Sequence, residues 1–206
     1  PANIAPDGAH ALVLLATYNG GRFLGEQLAS IAAQSIGRVD VLVSDDGSSD
    51  DTLQQLDAWR ARWARGDFSI VAGPRQGFAE NFRSLILRAN PDAATFVAFS
   101  DQDDVWDRDK LAAGIEVLAT RPVREPALYG GRSRLIDEGG RPIGQSPLFA
   151  RRPSFRNAIV QSLAGGNTMI FNSASFALLQ ESARRTSFLM HDWWSYLIVS
   201  GAGGFV

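Results

Sequence analysis

Residues 94–110 read Ala-Thr-Phe-Val-Ala-Phe-Ser-Asp-Gln-Asp-Asp-Val-Trp-Asp-Arg-Asp-Lys. The apolar run Phe96–Phe99 is too short and too rich in β-formers for a helix, so it predicts a buried strand. It stops at Ser100 and three carboxylates, Asp101, Asp103 and Asp104, after which Leu111, Ile115 and Leu118 recur at helical spacing. Like charges on one short turn repel, and leaving them unpaired beside a core strand costs free energy. Taken alone, the turn fits two readings: a solvated acidic loop, or oxygen ligands for a hard cation such as Mg²⁺ or Mn²⁺. Its position at the carboxyl end of a strand, where open α/β sheets bind their ligands, favours the second.

The chain before this stretch repeats the pattern. Leu12–Ala16 predicts a buried strand running into Thr17-Tyr18-Asn19-Gly20-Gly21, whose paired glycines allow a tight turn and close approach of a ligand to the backbone. Leu24, Leu28 and Ile31 mark a helix ending near Gln34–Gly37. Val39–Val43 is a second strand, followed by Ser44-Asp45-Asp46-Gly47-Ser48-Ser49-Asp50. Ser48 and Asp51 read as a capping box for a helix with Leu53, Leu56 and Trp63 on its inner face. Asp50 and Asp51 are therefore assigned to the helix start, while Asp45 and Asp46 stay candidates for a ligand. A third strand, Phe68–Val71, leads through Arg75 to a helix defined by Phe78, Phe82, Leu85 and Ile86. Strands alternating with helices, without hairpin signals, predict an α/β fold with a mostly parallel, Rossmann-like sheet flanked by helices. Right-handed crossovers gather Thr17–Asn19, Asp45–Asp46, Arg75 and Asp101–Asp104 on one rim.

Beyond Thr120 the pattern changes. Ala127–Ile136, the turn Asp137–Gly140 and Arg141–Gly144 predict a small antiparallel insertion. Ser154–Leu163 reads as helix, Ala164–Thr168 as a loop of small residues, Met169–Phe171 as strand and Ser173 to about Ala183 as helix. Met190-His191-Asp192-Trp193-Trp194-Ser195-Tyr196 opens a last apolar helix. A single domain over residues 1–206 is expected.

Composition narrows the chemistry. The 206 residues are 45% hydrophobic and 20% charged with net charge −2, so no broad basic field invites nucleic acid. Cysteine is absent, which excludes disulfides and thiolate chemistry, and Lys110 is the only lysine. The longest apolar run, Ala11–Ala16, falls far short of the ~20 residues of a membrane span, and no signal peptide is visible. His10 is expected in a loose start. The opening Pro-Ala-Asn-Ile-Ala-Pro, without Met, and the ending Gly-Ala-Gly-Gly-Phe-Val, which reads as the approach to a further strand, lead us to expect an excised segment cut at its C-terminal end.

Specific motifs can be tested against the acids. An EF-hand fails, because no Gly stands sixth from Asp101 and Ala112 occupies the place of the bidentate Glu. P-loop and dinucleotide glycine patterns do not occur. Asp101-Gln102-Asp103-Asp104-Val105 resembles the aspartyl-nucleophile motif of haloacid-dehalogenase-like phosphatases, but no lysine follows Lys110, and the one adjacent acidic pair after it, Asp137-Glu138, sits in a turn. That phosphatase, and a non-catalytic nucleotide- or sugar-binding module, are the alternatives.

Five motifs in register resemble the family 2 glycosyltransferases, whose fold is GT-A. They are Ala16–Gly20, Val43–Asp50, Phe99–Trp106, Gly165-Gly166-Asn167-Thr168 and His191-Asp192-Trp193-Trp194, and they span Leu12 to about Gly204. Asp-Gln-Asp-Asp-Val-Trp and His-Asp-Trp-Trp are most similar to bacterial rhamnosyltransferase-like members. The resemblance implies transfer of a sugar from a UDP-, dTDP- or GDP-linked donor to a glycan or lipid-linked acceptor, for bacterial surface polysaccharide, with Mn²⁺ or Mg²⁺ as cofactor. It implies a cytoplasmic protein, peripheral at the inner face of the membrane. Thr17, Tyr18, Asn19, Asp45, Asp46, Arg75 and Asp101 would hold the nucleotide. Asp103, with Asp101 and Asp104, would hold the metal. Asp192 would be the general base of an inverting transfer, and Gly166, Asn167, His191 and Trp193 would lie on the acceptor side. His191 stands where a Glu is often found. A further metal or phosphate contact would follow Val206, leaving this segment a weak binder.

Overall fold

Strands β1 (His10–Thr17) and β4 (Phe96–Ser100) lie side by side and parallel at the centre of the sheet, Ala11–Leu15 opposite Phe96–Ser100. The computed structural model describes residues 8–92, 95–149 and 151–206; Ala94 of the acidic stretch and the Pro1–Pro6 start lie outside them. On the other side of β1 run β2 (Arg38–Asp45) and then β3 (Phe68–Ala72), also parallel. Beyond β4 come two antiparallel neighbours, β8 (Met169–Phe171) and β5 (Leu128–Gly130), so the order is β3-β2-β1-β4-β8-β5. The chain steps outward from β1 to β3 and then returns to the far side of β1 as β4. Strand order reverses between β1 and β4, and loops leaving their carboxyl ends diverge to open a crevice.

Both sheet faces are covered. Val13 and Leu15 join a core with Leu24, Leu28 and Ile31 of α1 (Gly21–Ala32), Leu56 of α2 (Thr52–Arg62) and Leu111, Ile115 and Leu118 of α4 (Lys110–Ala119). Leu14 and Phe99 join the opposite core with Phe82, Leu85 and Ile86 of α3 (Phe78–Arg88), Phe176 and Leu179 of α6 (Ser173–Arg185), and Tyr196 and Val199 of α7 (His191–Gly201). Burial on both faces is why β1 and β4 read as continuous apolar runs.

Several local expectations change. The helix start at α2 is held by Asp50, whose Oδ1 accepts from the Thr52 amide (3.1 Å) and hydroxyl (2.6 Å), while the Ser48 hydroxyl turns to Asp45 (2.5 Å) instead of forming a capping box. Leu53 is exposed; Leu56 and the partly buried Trp63 carry the inner face. Phe78 is also exposed, because it opens α3 at the sheet rim rather than along its buried stripe. His10 is ordered within β1, its ring between Asp40 Oδ2 (2.8 Å) and Thr95 Oγ1 (3.0 Å). The stretch 127–136 is not one strand: it breaks after Gly130, so β5 enters the main sheet and only β6 (Arg134–Ile136) pairs with β7 (Pro142–Gln145) as a hairpin. Of the helix expected over 154–163, one turn forms, α5 (Phe155–Ala158), because Ile159 and Val160 meet no core. Phe205, expected at the approach to a further strand, bridges to Ala127 alongside β5.

Phe99 is fully buried, its ring 4.8 Å from that of Phe171 and 5.5 Å from that of Phe82. Phe99→Ala is expected to cost about 3–5 kcal/mol, the range for emptying a buried aromatic site. Urea denaturation checks this, with the midpoint falling at unchanged m-value.

Candidate active site

The crevice at the carboxyl ends of β1 and β4 holds an open cavity of about 860 Å³, bounded by Thr17, Tyr18, Asp46, Arg75, Asp101 and Asp103, with Phe78 and Phe82 forming an apolar side. Its walls are backbone loops, and each is pinned by a side chain from another loop. Gln102 faces the Tyr18 peptide, accepting from its N–H (2.8 Å) and donating to its carbonyl (3.1 Å), much as a neighbouring strand would. A Cβ on Gly20 would lie 2.3 Å from the Gln102 amide oxygen. The glycine thus makes room for a neighbouring loop, not for a ligand as the sequence suggested.

The two acids at the end of β2 are mostly structural. Asp45 is buried; its Oδ1 accepts from the amides of Gly47 (3.1 Å) and Ser48 (2.9 Å), and its Oδ2 from the hydroxyls of Thr17 (3.1 Å) and Ser48. Asp46 accepts from the Arg75 amide (2.6 Å) and the Gly77 amide (2.8 Å), which fixes the loop after β3 around the cavity. Asn19, at φ 48°, bonds Ser48 and Ser49. Both Asp45 carboxylate oxygens are thus engaged by the loop, and Asn19 spends its amide N–H and side-chain oxygen there. Thr17, Tyr18, Asp46, Arg75 and Asp101 stand on the cavity wall. Sequence reasoning missed Asn81, whose buried amide donates to the carbonyls of Ser44 (2.9 Å) and Thr17 (3.4 Å), joining the ends of β1 and β2.

The acidic turn after β4 is held from beneath by α1. Gln27, Ser30 and Gln34 recur at helical spacing on the same side of the helix as Leu24, Leu28 and Ile31, and all three are buried. The Gln27 amide meets Ser100 Oγ (2.6 Å) and lies between the Trp106 indole N–H (3.2 Å) and the Asp104 carbonyl. Ser30 Oγ accepts from the Trp106 amide (3.0 Å). Gln34 accepts from the Leu111 amide (3.0 Å) and donates to the Asp107 carbonyl (2.8 Å). Three short-range periodic polar residues in an apolar stripe were the signal available in the sequence.

The carboxylates here are destabilised as anions. Burial, then the charges of Asp104, Asp103 and Asp192, push Asp101 up to about 7, while Lys110 opposes the rise. Burial raises Asp104 as well, against the pull of Asn167 and Lys110, and Asp104 Oδ2 is buried without a partner. Lys110 sits in the same nest: Nζ lies 3.0 Å from the centre of the Trp106 ring and donates to the Asn167 carbonyl (2.6 Å). Burial depresses its pKa well below the usual range, with Asp104 and Asp101 working the other way. Asp103 is exposed at the cavity.

These donors suit a divalent cation. Mg²⁺ and Mn²⁺ are held by one or two carboxylates together with phosphate oxygens of a substrate, not by an all-protein cage. Among the described residues no three acidic or histidine groups close on one point. Asp101 and Asp103 nevertheless share the cavity wall, and the raised Asp101 marks unbalanced negative charge there.

Asp192 follows at the start of α7, close enough to add to the charge on Asp101. Burial raises its own pKa, while the amides of Trp193 and Gly166 hold it down. Trp193 is partly exposed and donates its indole N–H to the Ala158 carbonyl (2.6 Å). Gly166 and Asn167 meet this group from a tight turn at Gly166–Thr168. His191 must be withdrawn from the acceptor side. Its ring is buried, stacked 3.7 Å from Phe82, and a Cβ on Gly166 would lie 2.1 Å from its Nε2. It packs the turn against the core and touches no open space.

Comparison with known proteins places these features. The family model for glycosyl transferase family 2 matches residues 12–186. The dTDP-rhamnosyl transferase RfbG of Shigella flexneri is 33% identical over 106 residues, half of this chain and 36% of that protein. Two solved structures superpose over nearly the whole chain. S. aureus TarS 1-349 in complex with UDP-GlcNAc has a TM-score of 0.66 at 21% identity, covering 93% of this chain and 53% of that one. The mannosyltransferase PcManGT of Pyrobaculum calidifontis, in complex with GDP-Man and Mn²⁺, has a TM-score of 0.62 at 20% identity, covering 95% and 54%. The chain thus spans about half, or less, of the length of the proteins it matches.

Burial alone pushes the His191 pKa down to about 3, so the folded protein keeps the ring neutral where an unfolded histidine protonates. Between that value and about 6.5 the unfolded chain binds more protons, and stability falls as pH drops, by up to about 1.4 kcal/mol per unit. The raised carboxyls of Asp101, Asp104 and Asp192 act in the opposite sense, losing stability as pH rises. The difference between wild type and His191→Leu isolates the histidine. Below about pH 6 the wild type is expected to lose stability more steeply than the variant, as denaturant midpoints measured from pH 7.5 to 4.5 will show.

Proposed function

The chain belongs to glycosyl transferase family 2 and carries the GT-A fold, and from that premise we propose that it transfers a sugar from a nucleotide-diphospho-sugar to an acceptor hydroxyl, inverting the anomeric carbon. The observation that supports this most is the pairing of two acidic centres around one crevice. Asp101 and Asp103 line the cavity, and Asp192 stands near enough to load Asp101 with its charge. The cavity is of the size that nucleotide-sized ligands fill. Exposed Tyr18 and Phe78 offer flat faces to a base, and Arg75 stands on the rim to meet phosphate. The similarity to RfbG makes a dTDP-linked 6-deoxyhexose the first donor to test.

Asp103, with Asp101, would hold the metal, which when bound neutralises charge on the diphosphate. The rest is done by the chain's own groups. Asp192, its affinity for protons raised by burial, takes the proton from the acceptor hydroxyl as the hydroxyl oxygen bonds to the anomeric carbon. The bond from that carbon to the phosphate oxygen breaks, and the nucleoside diphosphate leaves. Attack from the face opposite the leaving group inverts the centre, and no enzyme nucleophile is needed. The amides of Trp193 and Gly166 orient the Asp192 carboxylate, and the half-exposed Trp193 ring offers a sugar a flat neighbour. We assign the acceptor to a glycan or lipid-linked glycan of the bacterial surface, glycosylated at the inner face of the membrane; no helix among the described residues is long and apolar enough to cross it.

Thermal shift with Mn²⁺ plus dTDP, UDP or GDP tests the donor side. Stabilisation that needs metal and nucleotide together, larger at pH 8 than at pH 6 because a proton on Asp101 competes with the cation, is expected, and Asp103→Asn should abolish it. Asp192→Asn should keep the shift and lower turnover by a hundredfold or more, the usual range for removing a general base. No shift with any diphosphate would sink the reading.

A further inference from the structure

Between Glu138 and Glu181 the chain has no acidic residue but carries Arg141, Arg151, Arg152 and Arg156. The remaining residues therefore hold 16 basic and 22 acidic side chains, a net charge of −6. The four arginines are exposed, and among the described residues none of them forms an ion pair. The same stretch leaves large apolar side chains in water: Leu148 (74% exposed), Phe155 (47%), Ile159 (59%) and Val160 (71%). Isolated exposed apolar residues are ordinary, but several within one basic segment are not.

This segment is not loose from the site. The Trp193 indole N–H donates to the Ala158 carbonyl (2.6 Å), and the Tyr196 hydroxyl accepts from the Ser154 amide (2.8 Å). Phe155 lies against α7, where a Cβ on Gly201 would come within 3.1 Å of its ring. The one-turn α5 is thus fastened to α7, whose second residue is Asp192. Leu189, 89% exposed, and Met190 are further exposed apolar residues, just before that helix.

We propose that Arg151, Arg152 and Arg156, with Phe155, Ile159 and Val160, form a docking face for an anionic phospholipid bilayer. Arginines over exposed aliphatic and aromatic side chains are the pattern of interfacial segments, in which charge draws the surface to lipid headgroups and apolar groups enter the acyl boundary. Charge selects the occupant: a second copy of this chain would bring a net negative but largely mixed surface, whereas an anionic leaflet presents a continuous negative plane to a segment that carries no acid. Docked this way, the membrane lies beside the acceptor end of the crevice, so a hydroxyl on a lipid-linked glycan reaches Asp192 without leaving the leaflet. The inference rests on the transferase reading only for that last consequence; the docking itself is independent of it.

The test is co-sedimentation of the purified protein with vesicles, without donor or acceptor. Vesicles of phosphatidylcholine with about one third phosphatidylglycerol are compared with phosphatidylcholine alone. Binding to the anionic vesicles is expected at about 0.1 M salt and to weaken strongly at about 0.5 M, as the screening length shrinks. Arg151→Glu/Arg152→Glu/Arg156→Glu should bind at least a hundredfold more weakly, because each arginine near the surface contributes roughly a fivefold factor. Ile159→Ser/Val160→Ser, which removes apolar groups already in water, should weaken binding about tenfold with unchanged melting temperature. Binding that ignores lipid charge, or that survives both variants, overturns the proposal, as does no vesicle binding by wild type. Loss of self-association in the serine variant, read by analytical ultracentrifugation, would assign the face to a second copy instead. A transferase with a water-soluble acceptor stays active in these variants, which separates failure of docking from failure of the catalytic reading.

Discussion

Three carboxylates at the end of a fully buried strand create a turn that opposes its own folding, and the surrounding structure is arranged to hold it. Burial and mutual repulsion raise Asp101 and Asp104, so the turn gains nothing from its own charges. What holds it is polar contact from below and the side. Gln27 and Ser30 of α1 and Gln34 just past its end bind Ser100 and the backbone from Asp104 to Leu111, and Gln102 reaches back to the Tyr18 peptide. These buried side chains spend their hydrogen bonds on main chain, which fixes the path of the turn without neutralising it. The path of the turn is fixed by these contacts while its carboxylates stay short of positive charge.

The sheet centre was legible in sequence because its physics is local. Strands buried on both faces read as apolar runs, as β1 and β4 do; the helices beside them carry apolar residues at helical spacing. The rim acids were legible as a group for the same reason, each following a buried strand. Their separate roles were not. Asp45 and Asn19 look like Asp101 and Asp103 in a string of letters, and only the fold shows that amides of Gly47, Ser48 and Ser49 have taken their oxygens. Leu53 and Phe78 satisfied the helical period but stand in the first turns of their helices and face solvent. The region from 127 to 163 was read least well. Many of its apolar residues, among them Leu135, Ile143, Leu148 and Ile159, face solvent, so pattern and burial no longer agree, and one expected strand became two and one helix a single turn.

The two halves of the crevice are mechanically joined. Lys110 leaves the donor-side turn and donates to the Asn167 carbonyl, next to Gly166. Behind that turn, His191 fills the space a side chain on Gly166 would need and stacks on Phe82, which itself forms part of the cavity wall. The small-residue motif around Gly166 is therefore explained by packing before any contact with an acceptor is invoked. The acidic turn and the segment that carries the residue proposed as base are thus joined through Lys110, Asn167 and the packing of His191 against Gly166 and Phe82.

That joint has a practical side. Across these 206 residues Lys110 carries the only side-chain amine, and it is stacked on Trp106 and bonded to Asn167. Acylating reagents that decorate most proteins at many lysines meet here a single side-chain target, half-buried and engaged by its neighbours. The rate of its modification becomes a clock for opening of the crevice, read by mass spectrometry on one peptide. A ligand that ties the acidic turn to its neighbours would slow that clock, and so could be found by chemical labelling before its reaction is known.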